Sequence, residues 1–284
     1  MPKFCIGFPC KLATANALKP FATVVGAAMK ADAEIVVGIQ DLSNSDPKVV
    51  DFISHQPKTK VFHATGCLNL SSNLNFIIEK SSSRYFIRTD DDDLMHPTRI
   101  ARLDKIIRDG TKFAILGQSY KCFSGNKVGP VVTPSYRSID NKIKLLLGVP
   151  FGHPAITIDL SKVGYRPYDT NQTYAQDYML YIDAIYKGPF LGDSQLATYY
   201  CSPIYRTESQ MSKRRKQLED HENAMYKIWN KVFPSRLSKE EIHQIRAKLV
   251  SSEFSNVDTS HSMEWCNEML NKGISLLGAN LEGH

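Results

Sequence analysis

The feature that most constrains this chain is a run of four aspartates at residues 90–93, directly after the aromatic and β-branched stretch 85–89. Two unit charges about 4 Å apart repel by roughly 1 kcal/mol in bulk water, and by more where water is excluded. An acidic run at the end of a buried strand therefore calls for a cation. If the strand continues into the run, its two-residue period places Asp90 and Asp92 on one side and Asp91 on the other. Mg²⁺ and Mn²⁺ bind one or two such carboxylates and fill their other positions with water and substrate phosphates.

A solvated acidic loop or a helix cap is the alternative, because charge runs usually lie on solvated faces. An EF-hand is excluded, since counting from Asp90 puts Leu94, Met95 and Ala101 at positions that need a ligand, a glycine and a glutamate. The next residues favour a site over a loop. Pro97 and the apolar residues at 100, 103, 106 and 107 predict an amphipathic helix. The carboxylates would then lie at a strand-to-helix junction.

Composition places the chain among ordinary globular proteins. Its 284 residues suffice for one large α/β domain with an appendage, and 35 Lys plus Arg against 29 Asp plus Glu give a net charge of +6. This mild basic bias suits an anionic ligand or an anionic membrane surface, and it does not indicate nucleic acid. The six cysteines form no Cys-x-x-Cys pair, which argues against a zinc cluster or a disulfide scaffold. Without a signal-peptide pattern or an apolar run of about 18 residues, we expect a soluble, cytoplasmic protein.

The first forty residues predict a strand at 4–8, a helix between 18 and 29, and a strand at 33–39. This βαβ order indicates a parallel sheet, in which ligands bind beyond the carboxyl ends of the strands. Asp41 follows the second strand, either as a ligand-binding residue or as a turn residue. Further elements are predicted as strands at 60–63, 113–117, 149–158 and 193–200, helices at 68–78 and 139–147, and a hairpin turning at 124–126.

The segment 88–99 resembles the metal-binding segment of family 2 glycosyltransferases, in which an Asp-x-Asp or Asp-Ala-Asp-Asp core precedes a proline and a helix. The resemblance extends over about residues 3–212. It implies the GT-A fold, a Rossmann-like, mostly parallel or mixed α/β sheet flanked by helices. The implied division is a catalytic domain over residues 1–205 and a C-terminal helical extension over residues 206–284, which would cover the sheet, complete the acceptor cleft or form a dimer surface.

The resemblance also implies a set of binding residues. Mn²⁺ or Mg²⁺ would be held by Asp92 together with Asp90 or Asp93. The residues implied to bind the nucleotide-sugar are Phe8, Pro9, Asp41, Asn75, Asp90, Asp91, His153 and Arg206. Two of these residues have a simpler alternative. His153 could be a loop histidine whose hydrogen bonds are made by the backbone, and Arg206 could belong to a solvated basic surface that continues into residues 213–216.

Asp177 is the implied catalytic base. The sequence Ala-Gln-Asp-Tyr-x-Leu at 175–180 resembles the family's Glu-Asp-x-x-Leu element, whose Asp deprotonates the acceptor hydroxyl. An aspartate at a helix start is also a common N-cap.

Three positions depart from the family pattern. Gln176 replaces the usual Glu, Gln40 replaces the first Asp of the base-binding doublet, and Glu208 stands where some members have a histidine near the metal.

The resemblance implies an inverting, metal-dependent glycosyltransferase that moves a sugar from a nucleotide-sugar, a UDP-sugar, to a hydroxyl of a glycan or polysaccharide. Peripheral membrane contact and a homodimer are compatible with the sequence. One rival is a sugar-nucleotide nucleotidyltransferase, although the loop at 7–11 is a poor version of the Gly-rich, basic loop it would need. The other is a non-catalytic nucleotide- or sugar-binding module, which the three departures permit.

Overall fold

The computed structural model describes residues 2–201, 208–232 and 237–244, with side chains from residue 215 onward in the second range. The strands are β1 Phe4–Cys10, β2 Ala33–Ile39, β3 Thr59–His63, β4 Tyr85–Arg88, β5 Leu94–Met95, β6 Ile115–Ser124, β7 Lys127–Val132, β8 Ile156–Asp159 and β9 Phe190–Cys201. The helices are α1 Leu18–Ala28, α2 Pro47–Ser54, α3 Leu70–Glu79, α4 Arg99–Arg108, α5 Ser138–Lys144, α6 Leu160–Val163, α7 Gln176–Ala184 and α8 Glu208–Val232. Within these ranges no helix is long and apolar enough to cross a membrane.

The described strands form one sheet in the order β3-β2-β1-β4-β8-β6-β9-β5, and β7 extends β6 as a hairpin. Strands β3, β2, β1 and β4 are mutually parallel. Strand β8 runs antiparallel between β4 and β6, whereas β9 is parallel to β6. The predicted α/β architecture with a mostly parallel or mixed sheet is confirmed.

The sheet is covered on both faces. All seven residues of β1 are buried, as expected for a central parallel strand. Its alternate side chains enter two apolar clusters: Phe4, Ile6 and Phe8 lie in one with α1, α2 and α4, while Cys5 lies in the other with α3 and α7. Helix α8 belongs to the second cluster, where the buried Trp229 donates to the Leu146 carbonyl at 2.8 Å. The division into a catalytic domain and a helical extension stays a prediction.

Two local predictions were wrong. Strand β4 ends at Arg88, and residues 91–92 form a turn closed by a 3.4 Å hydrogen bond from the Asp93 N–H to the Asp90 carbonyl. The acidic run therefore does not continue the strand. Of the predicted strand at 149–158, only the end is extended, because a 3-10 turn at His153–Ala155 precedes β8.

Helix α2 was missed, although its start is visible in the sequence. Asp46 accepts a hydrogen bond from the Lys48 N–H, and Pro47 occupies the first helical position. A capping-box pattern at 238–241 predicts a helix that continues past residue 244, and apolar residues at 265, 269 and 276 predict another. The continuation of the first and all of the second lie outside the described residues.

Candidate active site

The turn after β4 gathers three carboxylates. One oxygen from each of Asp90, Asp92 and Asp93 lies within 4.8 Å of the others. Burial, together with Asp90 and Asp91, raises the pKa of Asp92 to about 6. Burial, together with Asp90 and Asp92, raises the pKa of Asp93 to about 9. Crowding and desolvation thus make the ionised cluster costly unless a cation neutralises it.

The predicted alternation of side chains is partly retained despite the turn. Asp91 is not part of the three-carboxylate cluster. Its carboxyl lies beside the Cys10 thiol at the end of β1, and burial raises the pKa of Asp91. Asp90 and Asp92 share the cluster, as the strand argument expected, and Asp93 joins them because the chain turns.

Asp93 anchors the cluster to the protein. Its side chain is fully buried, and one carboxylate oxygen accepts a hydrogen bond from the Cys201 N–H at 2.7 Å. The other oxygen has no hydrogen-bond partner among the described residues. A buried, unpartnered carboxylate oxygen facing two further carboxylates fits a hard divalent cation such as Mn²⁺ or Mg²⁺.

Two buried arginines flank the cluster, and both were missed from the sequence. Arg88, the last residue of β4, forms an ion pair with Asp90 at 2.6 Å. Arg99, the first residue of α4, donates to the carbonyls of Pro154 and Ile156 at 2.9 and 3.0 Å, and burial lowers its pKa to about 9. Both arginines lie within the segment 88–99 that the sequence analysis singled out, but the sequence does not show that they are buried. Arg99 ties the acidic turn to the segment that carries His153.

A cavity of about 400 Å³ opens beside the cluster and contains Asp90, Arg88, His153 and Asp177 in its lining. Asp177 lies in the first turn of α7. Its carboxylate accepts a hydrogen bond from the Tyr178 N–H at 2.9 Å. Burial raises the pKa of Asp177, whereas His221 and Arg88 act in the opposite direction. A carboxylate with a raised pKa in a cavity has the properties of a general base.

His153 occupies the wall of the same cavity. Its Nε2 is hydrogen-bonded to the Tyr168 hydroxyl at 3.1 Å. Burial and the nearby Arg88 guanidinium lower the pKa of His153, so the imidazole is neutral near pH 7. The alternative of a loop histidine satisfied by backbone does not hold for Nε2, because its partner is a side chain.

A second cavity, of about 340 Å³, adjoins the first at Asp90, Leu70 and Gln176. Pro9, Lys11, Gln40 and Asp91 lie in its lining, at the carboxyl ends of β1, β2 and β4. The N-terminus of α3 also borders it through Asn69. A basic residue, a helix N-terminus and strand ends together suit an anionic ligand.

Of the described residues that were predicted to bind the nucleotide-sugar, three line neither cavity. Phe8 was wrongly assigned a contact with the ligand, because its ring is fully buried against Phe21, with ring centroids 5.2 Å apart. Asp41 binds its own loop: its carboxylate accepts from the Ser43 hydroxyl and the Asn44 side-chain amide, both at 2.9 Å. The preceding Gln40 lines the second cavity in its place.

Asn75 also has a local partner. Its amide nitrogen donates to the Tyr168 carbonyl at 2.7 Å, and its amide oxygen accepts from the Tyr168 N–H at 3.1 Å. This contact favours a structural role, holding the loop before α7 against α3. Arg206 lies outside the described residues, and at Glu208 only the backbone is described.

Comparison with known proteins agrees with this geometry. The model of glycosyl transferase family 2 matches residues 19–158, which include the acidic cluster and His153. No curated protein matches the chain in sequence.

Solved structures share the fold. S. aureus TarS superposes with a TM-score of 0.62 and 14% identity, covering 91% of this chain and 44% of TarS. The chain thus spans less than half of that protein. The TarS 1–349 structure with UDP-GlcNAc gives a TM-score of 0.61 and 16% identity, covering 98% of this chain and 84% of the other. The mannosyltransferase PcManGT from Pyrobaculum calidifontis, in complex with GDP-Man and Mn²⁺, gives a TM-score of 0.57 and 11% identity, covering 98% of this chain and 87% of the other.

The family match, the parallel-to-mixed sheet and the neighbouring folds lead to one conclusion: residues 19–158 belong to glycosyl transferase family 2, and the chain has the GT-A fold.

Proposed function

We propose that this chain is an inverting, metal-dependent glycosyltransferase that moves a sugar from a UDP-sugar to a hydroxyl of a glycan or polysaccharide. One observation carries the proposal. Asp90 lines both cavities, and Asp177 lines the first of them. A nucleotide diphosphate held at the acidic cluster would therefore present its sugar to the cavity that contains the proposed base.

The acidic cluster supports metal dependence. Asp90, Asp92 and Asp93 would hold Mn²⁺ or Mg²⁺, and the bound ion would supply positive charge to the diphosphate leaving group. Lys11 and the N-terminus of α3 border the second cavity and add positive potential for the same diphosphate. The solved relatives bound to UDP-GlcNAc, and to GDP-Man with Mn²⁺, are consistent with this arrangement.

Asp177 would accept the proton in the transfer step. The acceptor oxygen forms a bond to the anomeric carbon, the bond from that carbon to the diphosphate breaks, and the hydroxyl proton moves to the Asp177 carboxylate. Because burial raises the pKa of Asp177, the carboxylate is a stronger base than an exposed aspartate. Neutral His153 adds a hydrogen-bonding group to the same wall.

Thermal stabilisation by nucleotide-sugars tests the proposal. UDP-linked and GDP-linked sugars are each added to the full chain with Mn²⁺, and again after chelation. A ligand at a hundred times its dissociation constant stabilises the fold by about 2.7 kcal/mol. We expect the largest shift from a UDP-sugar with Mn²⁺, and its loss with the chelator.

Failure of every nucleotide-sugar to raise the melting temperature would contradict the proposal. A preference for GDP-sugars would overturn the assignment of UDP. Release of pyrophosphate from a nucleoside triphosphate and a sugar phosphate would instead identify a nucleotidyltransferase.

A further inference from the structure

Two tyrosines that the motifs do not include form a corner of the first cavity. The rings of Tyr120 and Tyr200 have centroids 6.2 Å apart and planes inclined at 86°. Both residues line the cavity that contains Asp177. Tyr120 is half-buried, and 37% of Tyr200 is exposed. The cavity thus offers two aromatic surfaces at right angles.

The corner is held in place by backbone on both sides. A Cβ added at Gly152 would lie 2.7 Å from the Tyr120 ring, so the ring packs directly on the glycine backbone. Tyr200 lies opposite Cys122 in the pairing of β6 with β9. The next residue, Cys201, donates its N–H to Asp93 at 2.7 Å. The hydrogen bond that positions Asp93 therefore also fixes the strand carrying Tyr200.

Tyr200 lines the same cavity as Asp90 of the acidic cluster and Asp177, the proposed base. Burial raises the pKa of Tyr200 well above its ordinary value, and Asp90, Asp93, Asp92 and Asp177 each raise it further. The Tyr200 hydroxyl is therefore close enough to all four carboxylates to interact with them.

We propose that Tyr120 and Tyr200 form a stacking site for a pyranose ring of the acceptor, an inference that rests on the proposed function. One face of a pyranose carries C–H groups whose hydrogens are slightly positive. The face of an aromatic ring is slightly negative and gives a large dispersion contact. Polar residues beside the corner, among them Thr133 and Gln217, remain for the sugar hydroxyls.

The ring is assigned to the acceptor because the corner lies in the cavity of Asp177, the group that must reach the acceptor hydroxyl. Neither tyrosine lines the second cavity, which adjoins Lys11, Gln40 and Asp91 and suits the nucleotide. Stacking on Tyr200 would set the distance of the acceptor hydroxyl from the Asp177 carboxylate. The corner would therefore select ring-form sugars over open-chain polyols, which have hydroxyls but no flat C–H face.

Saturation-transfer NMR on the full chain with Mn²⁺ and UDP tests this inference. The probes are methyl glucopyranoside and sorbitol. We expect signal transfer to the pyranoside and much less to sorbitol. Tyr200→Leu and Tyr120→Leu should each weaken pyranoside binding by about tenfold, and Tyr200→Phe should restore it because the aromatic face is kept. Tyr136→Leu is the matched control, since Tyr136 is 78% exposed and lines neither cavity.

Equal transfer to sorbitol, or unchanged pyranoside binding in both leucine variants, would overturn the inference. The affinities for UDP and for the UDP-sugar are measured on the same variants. Loss of UDP-sugar affinity in Tyr200→Leu with pyranoside binding intact would place the ring under the donor and overturn the assignment to the acceptor. Failure of the wild-type chain to bind UDP would count against the proposed function, while pyranoside binding would still report on the aromatic corner.

Discussion

Asp93 and Asp177 show how burial gives two aspartates different uses. Asp93 is held by the Cys201 N–H and faces two further carboxylates, so its ionised form requires a cation. Asp177 lies outside the acidic cluster, in a cavity that His153 and Arg88 also line, and it can exchange a proton with a substrate. The same residue type therefore suits a metal ligand in one place and a base in the other.

The pH dependence of turnover should reflect Asp177. The base must be ionised, so activity is lost as the pH falls through the pKa of Asp177. Because burial raises this pKa, the acid limb of kcat/KM should lie above the value of about 3.9 for an exposed aspartate. His221 lowers the pKa of Asp177, so His221→Gln should move the limb to higher pH.

UDP release measured across pH checks this expectation, and His55→Gln, directly after α2, is the control because His55 is exposed. A limb that stays in place or moves to lower pH in His221→Gln would show that His221 does not act on the base.

At the scale of single residues, chemistry could be predicted better than burial. The run 90–93 was visible because four consecutive carboxylates are unusual, and Asp177 was visible because its segment resembles the family's Glu-Asp-x-x-Leu element. Arg88, Arg99 and Tyr200 were missed because only tertiary packing shows that the arginines are buried and that the tyrosine faces the cavity. The predicted ligand contact of Phe8 was wrong for the same reason, because the sequence does not show that its ring is buried.

Strand β8 is the element that turns a parallel sheet into a mixed one. It enters antiparallel between β4 and β6 and brings His153, just before it, into the first cavity. Arg84 secures this junction by donating two hydrogen bonds to Asp159, at 3.0 and 2.6 Å. Burial alone would raise the pKa of Asp159, but Arg84 and Ser161 hold it below its ordinary value.

Replacing Arg84 should destabilise this junction. Arg84→Met leaves the Asp159 carboxylate, whose side chain is 2% exposed, without its cation. Since the Arg84 side chain is 53% exposed, we expect a loss of about 2 kcal/mol at pH 7, less than for a fully buried pair. Because the pKa of Asp159 is lowered in the folded state, the stabilisation is present above about pH 3.9 and is lost as the pH falls through the folded pKa.

Urea unfolding at pH 7 and at pH 3 measures this difference. Lys105→Met is the control, because its ion pair with Asp109 is exposed and should contribute less than about 0.5 kcal/mol. An Arg84→Met loss as small as the control, or one that grows toward low pH, would contradict the account.

Elements with strong local patterns could be predicted, and pairings between distant strands could not. Strand β2 has the predicted bounds, and Asp177 lies in the first turn of α7, at the predicted helix start. The antiparallel placement of β8 and the short β5 beside β9 depend on contacts far apart in sequence. No local periodicity encodes them.

At the scale of the whole molecule, the fold brings together residues about ninety positions apart. Asp90 follows β4 and Asp177 opens α7, yet both line one cavity. The two parts of the sheet meet at β4 and β8, so the nucleotide side and the acceptor side of the proposed site come from different regions of the chain. The order of the motifs predicted this convergence, and the sheet topology explains it.

The central claim is that one metal-bound donor site and one separate base serve a single transfer reaction. Calorimetric titration with UDP and Mn²⁺, paired with turnover of the donor, tests it in Asp92→Ala and Asp177→Asn. We expect the Mn²⁺-dependent affinity of Asp92→Ala for UDP to fall by at least about tenfold. Asp177→Asn should bind the donor as the wild type does while turnover falls by about a hundredfold or more. Wild-type affinity in Asp92→Ala, or wild-type turnover in Asp177→Asn, would contradict it.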